Sequence, residues 1–123
     1  MIQETQFQSL VEFFPVLGEL PAAAREEVMG SAVPFRLPAG AVAFDTYAAC
    51  ESFPMLIEGR IRVGMPAPNG REILLYRVEP GQTCVLTLNC LLSDAEYGAK
   101  GIAARECVGY GLPRGLFLKL VDS

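Results

Sequence analysis

Phe53-Pro54-Met55-Leu56-Ile57-Glu58-Gly59-Arg60-Ile61-Arg62-Val63-Gly64-Met65 is the stretch on which the reading of the fold turns. Its second half alternates. Ile61, Val63 and Met65 fall on one face of an extended chain, with Arg60 and Arg62 on the other, the period-two pattern of a strand with one buried side. Gly59 marks a tight turn back to the apolar run Phe53–Glu58, so the two runs are expected to form a hairpin. Downstream, Pro66-Ala67-Pro68-Asn69-Gly70 leads into Glu72–Val78, and Asn-Gly supplies the positive-φ residues that a second hairpin turn requires.

The same texture of short apolar runs punctuated by Pro and Gly extends from Gly30 almost to the end of the chain. Eight runs are candidate strands: Ala32–Leu37, Ala41–Phe44, Phe53–Glu58, Arg60–Met65, Glu72–Val78, Thr83–Leu88, Lys100–Ala104 and Cys107–Leu112. Short strands at intervals of about ten residues are the signature of a sandwich or barrel, and this number suffices for a jelly roll. Before them, Phe7, Leu10, Val11, Phe13 and Phe14 have helical spacing, stopped by Pro15. A second helix begins at Pro21, carries Leu20, Ala24 and Val28 as its apolar stripe, and stops at Gly30. Pro113 opens a third, with Leu116, Phe117 and Leu120 on one side. The expected organisation is one mainly β domain: N-terminal helices in residues 1–31, a jelly roll in 32–112 and the start of a C-terminal helix in 113–123. The apolar face of that helix runs to the last residues, so the chain is expected to be a fragment of a longer one.

Composition removes whole classes of function. The chain has 123 residues, Lys+Arg 10 against Asp+Glu 14 for a net charge of -4, four cysteines, and neither histidine nor tryptophan. At this length roughly two-thirds of the unfolded surface is buried, and no disulfide staple is needed. Without histidine there is no Ser-His-Asp or Cys-His catalysis, no His-ligated zinc and no imidazole switch, so no enzyme is expected; a cupin enzyme on a similar barrel, which needs several histidines, falls with them. An acidic chain without a Lys/Arg-rich stretch does not hold nucleic acid by itself. The longest uncharged stretch, Pro80–Ser93, contains Pro, Gly, Gln, Asn and Thr and falls short of the roughly 18 apolar residues of a spanning helix. The N-terminus lacks the basic region of a signal peptide. A cytoplasmic location with reduced thiols is therefore expected.

The order of helices and strand runs, with Leu56-Ile57-Glu58-Gly59-Arg60-Ile61-Arg62-Val63 as one hairpin and Pro80-Gly81-Gln82 closing the next, resembles the cyclic-nucleotide-binding domain. More closely it resembles the N-terminal effector domain of the Crp/Fnr family of bacterial transcription regulators, over residues 10–121. The resemblance implies a double-stranded β-helix jelly-roll barrel with short flanking helices. It implies a dimerisation helix and a helix-turn-helix DNA-binding domain beyond Ser123, and a homodimeric full-length protein that receives a small-molecule effector or redox signal here. In the cyclic-nucleotide binders of this fold, the loop after the Pro-Gly position carries a Gly-Glu pair, then a short helix, then an Arg-Ser/Thr-Ala triplet. The glutamate accepts from the ribose hydroxyl, while the arginine and the helix N-terminus hold the cyclic phosphate. Here Gly81 is present, the glutamate position reads Gln82, and by spacing the triplet falls on Tyr97-Gly98-Ala99. The arginine is missing, and with it charge-assisted bonds worth about 1.5–3 kcal/mol each. Lys100 points by strand alternation to the opposite face from Ala99. Tight binding of cAMP or cGMP is not expected unless one of Arg60, Arg62, Arg71 and Arg77 reaches inward to replace the lost arginine.

The candidate cassette is thus Gly81, Gln82, Thr83 and Cys84 with Tyr97, Gly98 and Ala99. Tyr76 joins it, sharing the parity of Leu74 and expected to face the barrel interior, where the pair either lines a pocket or fills the barrel. Cys84 and Cys90 are candidate redox cysteines. A bond between them needs Cα atoms about 4.4–6.8 Å apart, and a thiol in the first turn of a helix gains thiolate character from the dipole. The plainer alternative makes them small core hydrophobes. Cys107 reads as core and Cys50 as a loop thiol. Cys-x5-Cys is not a zinc knuckle, and the dispersion of the four cysteines offers no metal site. The resemblance raises two cofactors. An iron–sulfur cluster, held in oxygen-sensing relatives by cysteines before the barrel, finds none in residues 1–49. Haem, held in carbon-monoxide sensors by a cysteine near the position of Cys84, lacks its usual histidine partner, leaving Cys84, a methionine or the N-terminal amine. The expected function is a sensory domain with a degenerate cassette, reading a redox change at Cys84/Cys90 or an unidentified small ligand. The alternatives are a ligand-free structural module, a haem gas sensor and a genuine cyclic-nucleotide binder.

Overall fold

The computed structural model of the chain describes residues 2–45, 51–93 and 98–121. Helix α1 (Glu4–Phe13) is capped where Gln6 Oε1 accepts from the Gln3 N–H at 2.7 Å, and it ends before Pro15 as expected. Pro15 then starts a 3₁₀ helix, Pro15–Glu19, which the apolar spacing does not signal. Helix α2 (Ala22–Ser31) follows Pro21 and passes Gly30 before it stops.

The strands are β1 (Val33–Leu37), β2 (Val42–Phe44), β3 (Ser52–Glu58), β4 (Ile61–Pro66), β5 (Glu72–Val78), β6 (Lys100–Ala103) and β7 (Cys107–Pro113). Helix α3 (Val85–Ser93) lies between β5 and β6, and α4 (Arg114–Val121) follows β7. The pairings are antiparallel and form two sheets, ordered β1-β7-β3 and β2-β6-β4-β5. The mainly β, jelly-roll-like architecture with flanking helices is the one expected.

Two local expectations are corrected. The run Thr83–Leu88 is not a strand: Thr83 and Cys84 lead directly into α3. A short apolar run carries no periodicity that separates a buried strand from a buried helix. Nor is Leu56–Val63 a hairpin, because β3 pairs with β7 whereas β4 pairs with β5 and β6. Gly59, at φ +103, instead carries the chain from one sheet into the other. It passes so close to the start of β7 that a Cβ there would lie 2.4 Å from the Glu106 carbonyl oxygen and 2.7 Å from Cys107 Sγ. The β4–β5 hairpin does form, with Gly70 at φ +82 and Asn69 Oδ1 accepting from the Arg71 N–H at 3.1 Å.

Sheet β1-β7-β3 is apolar on both sides. On β3, Met55 and Leu56 are each 1% exposed but point in opposite directions. Leu56 enters the barrel with Ile61, Val63 and Cys107, while Met55 packs outward onto Phe7, Leu10 and Val28. Burial on both faces explains why Phe53–Ile57 is a continuous apolar run rather than an alternating one. Helix α4 joins the two clusters: Phe117 belongs to the barrel core and stacks on Phe53 at 4.6 Å, while Leu116 and Leu120 pack against the helical core. No described helix is long and apolar enough to cross a membrane.

Gly59→Ala combines a positive φ with a backbone clash and should lower stability by about 2–4 kcal/mol. Gly70→Ala has a similar φ but nothing within 4 Å of its Cβ position. It should cost only about 1 kcal/mol. Urea denaturation of the two variants checks the ordering.

Candidate functional site

Strand β5 delivers the chain to the cassette through a tight turn. The Gln82 N–H donates to the Glu79 carbonyl at 3.0 Å, with Pro80 and Gly81 between them and Gly81 at φ +83. This is the geometry of a type II turn, in which proline presets the first central residue and glycine supplies the second. Gln82 closes the turn again from its side chain, Oε1 accepting from the Glu79 N–H at 2.8 Å. The side chain expected at the ribose position therefore faces its own turn. The turn is anchored outside by Arg60 Nε to Glu79 Oε1 at 2.7 Å, and inside by the Gly81 N–H donating to the Leu56 carbonyl at 3.0 Å.

Thr83 is exposed, but Cys84 is only 3% exposed and its carbonyl accepts from the Leu88 N–H at 3.0 Å, opening α3. Cys84 Sγ lies 3.3 Å from the hydroxyl of half-buried Tyr76. Leu74 does not share that face. The β4–β5 register shifts so that Tyr76 sits opposite Val63 and Leu74 opposite Gly64, leaving Leu75 as the extra residue of a bulge. The bulge inverts the parity, and Leu74 is 40% exposed instead of lining the interior.

On α3, which carries no charged residue, Thr87, Cys90 and Leu91 are buried, and Cys84, Cys90 and Ala99 share the barrel core. Gly98 is exposed, while Tyr97 and Cys50 lie outside the described residues. Cys84 and Cys107 are free thiols and Cys90 is disulfide-bonded, so the two cassette cysteines are not joined to each other. The expectation of uniformly reduced thiols is corrected at Cys90.

Arg60 and Arg62 are held by Glu79 and Glu72, the latter at 3.0 Å, and Arg71 and Arg77 are exposed. None of the four supplies the inward guanidinium. Lys100, opposite Gly64 on β4, is half-buried where its neighbour Ala99 is fully buried, in keeping with the alternation expected. The cation that reaches α3 is one the sequence reading missed: Arg114 Nη2 donates to the Leu91 carbonyl at 3.4 Å. A signal for it existed. A cation on the first residue of α4 opposes that helix's own dipole, and its favourable partner is the carbonyl end of another helix, here the last turn of α3.

Cys107 is core as expected, its thiol donating to the Arg60 or the Arg105 carbonyl, each 3.3 Å away. Burial pushes this thiol above its ordinary 9.0, against smaller lowering effects of the Arg60 backbone and the Arg105 charge. Among the described residues Cys84, the nearest candidate haem ligand, is 3% exposed and packed against the Tyr76 hydroxyl, and it does not line the four cavities of about 210–350 Å³ found elsewhere on the domain. Those residues also include no group of three Cys, Asp or Glu that could hold a metal ion.

The model of the cyclic nucleotide-binding domain family matches residues 34–123. The chain belongs to this family. Solved structures agree in fold. DNR from Pseudomonas aeruginosa superposes with a TM-score of 0.84 at 19% identity, over 100% of this chain and 54% of that one. A putative transcriptional regulator of the Crp/Fnr family from Eubacterium rectale gives a TM-score of 0.80 at 18% identity, over 91% and 52%. The regulatory domain of Toxoplasma gondii PKA, solved with cAMP, gives 0.79 at 19% identity, over 95% and 44%. The chain thus spans about half the length of the Crp/Fnr-type structures it resembles. The expected resemblance to Crp/Fnr effector domains is borne out in the fold. No curated protein matches the chain by sequence.

The raised Cys107 pKa has a definite sign in stability. A thiol whose folded pKa exceeds its unfolded one contributes stability that is fully present below the unfolded value near 9.0 and is lost as pH rises through the folded value. The stability advantage of the wild-type chain over Cys107→Ala should therefore shrink between pH 8 and pH 10.5, as measured by urea denaturation at both.

Proposed function

We propose that this chain is the sensory domain of a cytoplasmic Crp/Fnr-type transcription regulator, non-enzymatic, whose cassette reports thiol redox state and does not hold a cyclic nucleotide tightly. The observation that carries this reading is α3 itself. It is an uncharged helix that starts at the free thiol Cys84, contains the disulfide-bonded Cys90, and is bonded through Leu91 to Arg114 of α4. A buried cyclic phosphate would meet apolar side chains there. The Gln82 amide oxygen accepts a hydrogen bond in its own turn, and the family triplet falls by spacing on Tyr97-Gly98-Ala99, without its arginine.

Reduction proceeds by thiol–disulfide exchange. A cellular dithiol delivers two electrons and two protons and closes to a disulfide, and the Cys90 disulfide opens to two thiols. Helix α3 then loses a covalent restraint, and the Leu91 carbonyl moves relative to Arg114. The shift biases α4 between two arrangements, which in the longer regulator alters DNA affinity by linkage. Dimerisation and DNA contact belong to that longer regulator. One observation favours a second reading, a ligand-free structural module: Cys84, Cys90, Leu91 and Ala99 together fill the barrel beside the cassette.

Hydrogen exchange before and after dithiothreitol separates the two. Under the redox reading the free-thiol count rises by two, and amides of α3 and α4 exchange several-fold faster while those of α2 do not change. Unaltered exchange in α4 leaves the structural module. Calorimetric titration with cAMP and cGMP should show no binding tighter than high micromolar; a clear micromolar isotherm overturns the assignment of a degenerate cassette.

A further inference from the structure

We propose a second binding site, which meets the cassette only at Thr83: an apolar cavity on the helical side of sheet β1-β7-β3 that takes a small neutral molecule. Its volume is about 260 Å³. Met55 and Leu112 form the floor, Val16 and Leu17 of the 3₁₀ helix one wall, and Phe117 and Leu120 of α4 the other. The cavity involves neither Cys84 nor Cys90 and does not rest on the redox reading.

The Phe53–Phe117 stack holds α4 to β3, and at the surface Lys119 Nζ meets both carboxylate oxygens of Glu27 on α2, 3.0 Å each. The 3₁₀ helix is fixed from the other side, where the Leu17 N–H donates to the Phe14 carbonyl at 3.0 Å and Leu17 is buried in the helical core. The cavity is half open to solvent, with exposed Val16 and Val121 at its margin.

The lining chooses the ligand. Among the described lining residues Thr83 is the one polar side chain, and none is charged. A carboxylate or phosphate would lose its hydration with nothing to replace it. A neutral molecule with an apolar body and a single hydroxyl or carbonyl directed at Thr83 loses nothing of that kind. A cavity of about 150 Å³ holds benzene, so this one accommodates roughly eight to twelve heavy atoms, the size of a medium-chain alcohol or a substituted single ring. Such a ligand would touch the 3₁₀ helix and α4 together and hold α4 against the sheet.

The test is titration of the chain with 1-octanol, read by methyl NMR and thermal denaturation, with octanoate at pH 7.5 as the charged counterpart of equal length. Saturable binding with a dissociation constant on the order of 100 µM, a raised Tm, and binding of octanoate weaker by about tenfold or more are expected. The perturbed methyl groups should be those of Leu17, Leu112 and Leu120. Val16→Trp fills the mouth from a position 65% exposed, so it should keep the fold and lose the octanol-induced rise in Tm. Leu20→Trp, from the same wall, is the second filling variant. Equal binding of octanol and octanoate, a response that does not saturate, or full binding retained by the folded filling variants overturns the site.

Discussion

Met55 and Leu56, consecutive on β3 and each 1% exposed, set the constraint from which the rest of the domain follows. One faces the helices and the other the barrel interior, so sheet β1-β7-β3 has to be covered on both sides. Antiparallel sheets commonly leave one face to solvent. Full burial of a side chain of this size is worth about 1.5–3 kcal/mol, so uncovering the outer row of Met55, Tyr110 and Leu112 would remove a large part of a typical domain's net stability. The helices are therefore the second half of the fold. Among the described helices α4 is the one that enters both cores, with Phe117 in the barrel core and Leu116 and Leu120 against the helical one.

What could be read in the sequence followed from local chemistry. Pro15, Pro21 and Pro113 mark their helix boundaries because a fixed φ and a missing N–H act within one or two residues. Asn69-Gly70 makes its hairpin for a similarly local reason. What could not be read depended on contacts distant in sequence. Gly59 looks like a hairpin glycine, and only the pairing of β3 with β7 makes it a passage between sheets. The bulge at Leu75 is invisible because period-two parity assumes that no residue is inserted, and that one residue moves Leu74 to solvent. The run after Thr83 is equally apolar as strand or helix, and it becomes a helix where the barrel core receives Thr87, Cys90 and Leu91.

The candidate site was legible in location more than in chemistry. Gly81 was expected as part of a ligand motif, yet its positive φ is required by the turn, and a Cβ there would come within 3.0 Å of the Phe13 carbonyl oxygen. Gln82 likewise closes the turn. The Pro-Gly-Gln motif thus has a folding role of its own. Tyr76 was expected beside the cassette through a parity shared with Leu74; the bulge breaks that parity, and the contact of Tyr76 with Cys84 was not foreseen.

Separating folding requirements from ligand requirements narrows how a signal can cross this domain. A phosphate-binding cassette transmits through charge, a guanidinium and helix N–H groups closing on an anion. Here α3 carries no charge, and Arg60 and Arg62 are taken by surface carboxylates that contribute little to stability. Among the described contacts between cassette and α4 are the packing around Phe117 and the long Arg114 to Leu91 hydrogen bond of 3.4 Å, near the limit at which such a bond holds. Close-packed contacts do not stretch. They are kept or exchanged for another arrangement, so under the proposed redox reading a displacement of α3 would reach α4 as a repacking of Phe117 within the barrel core.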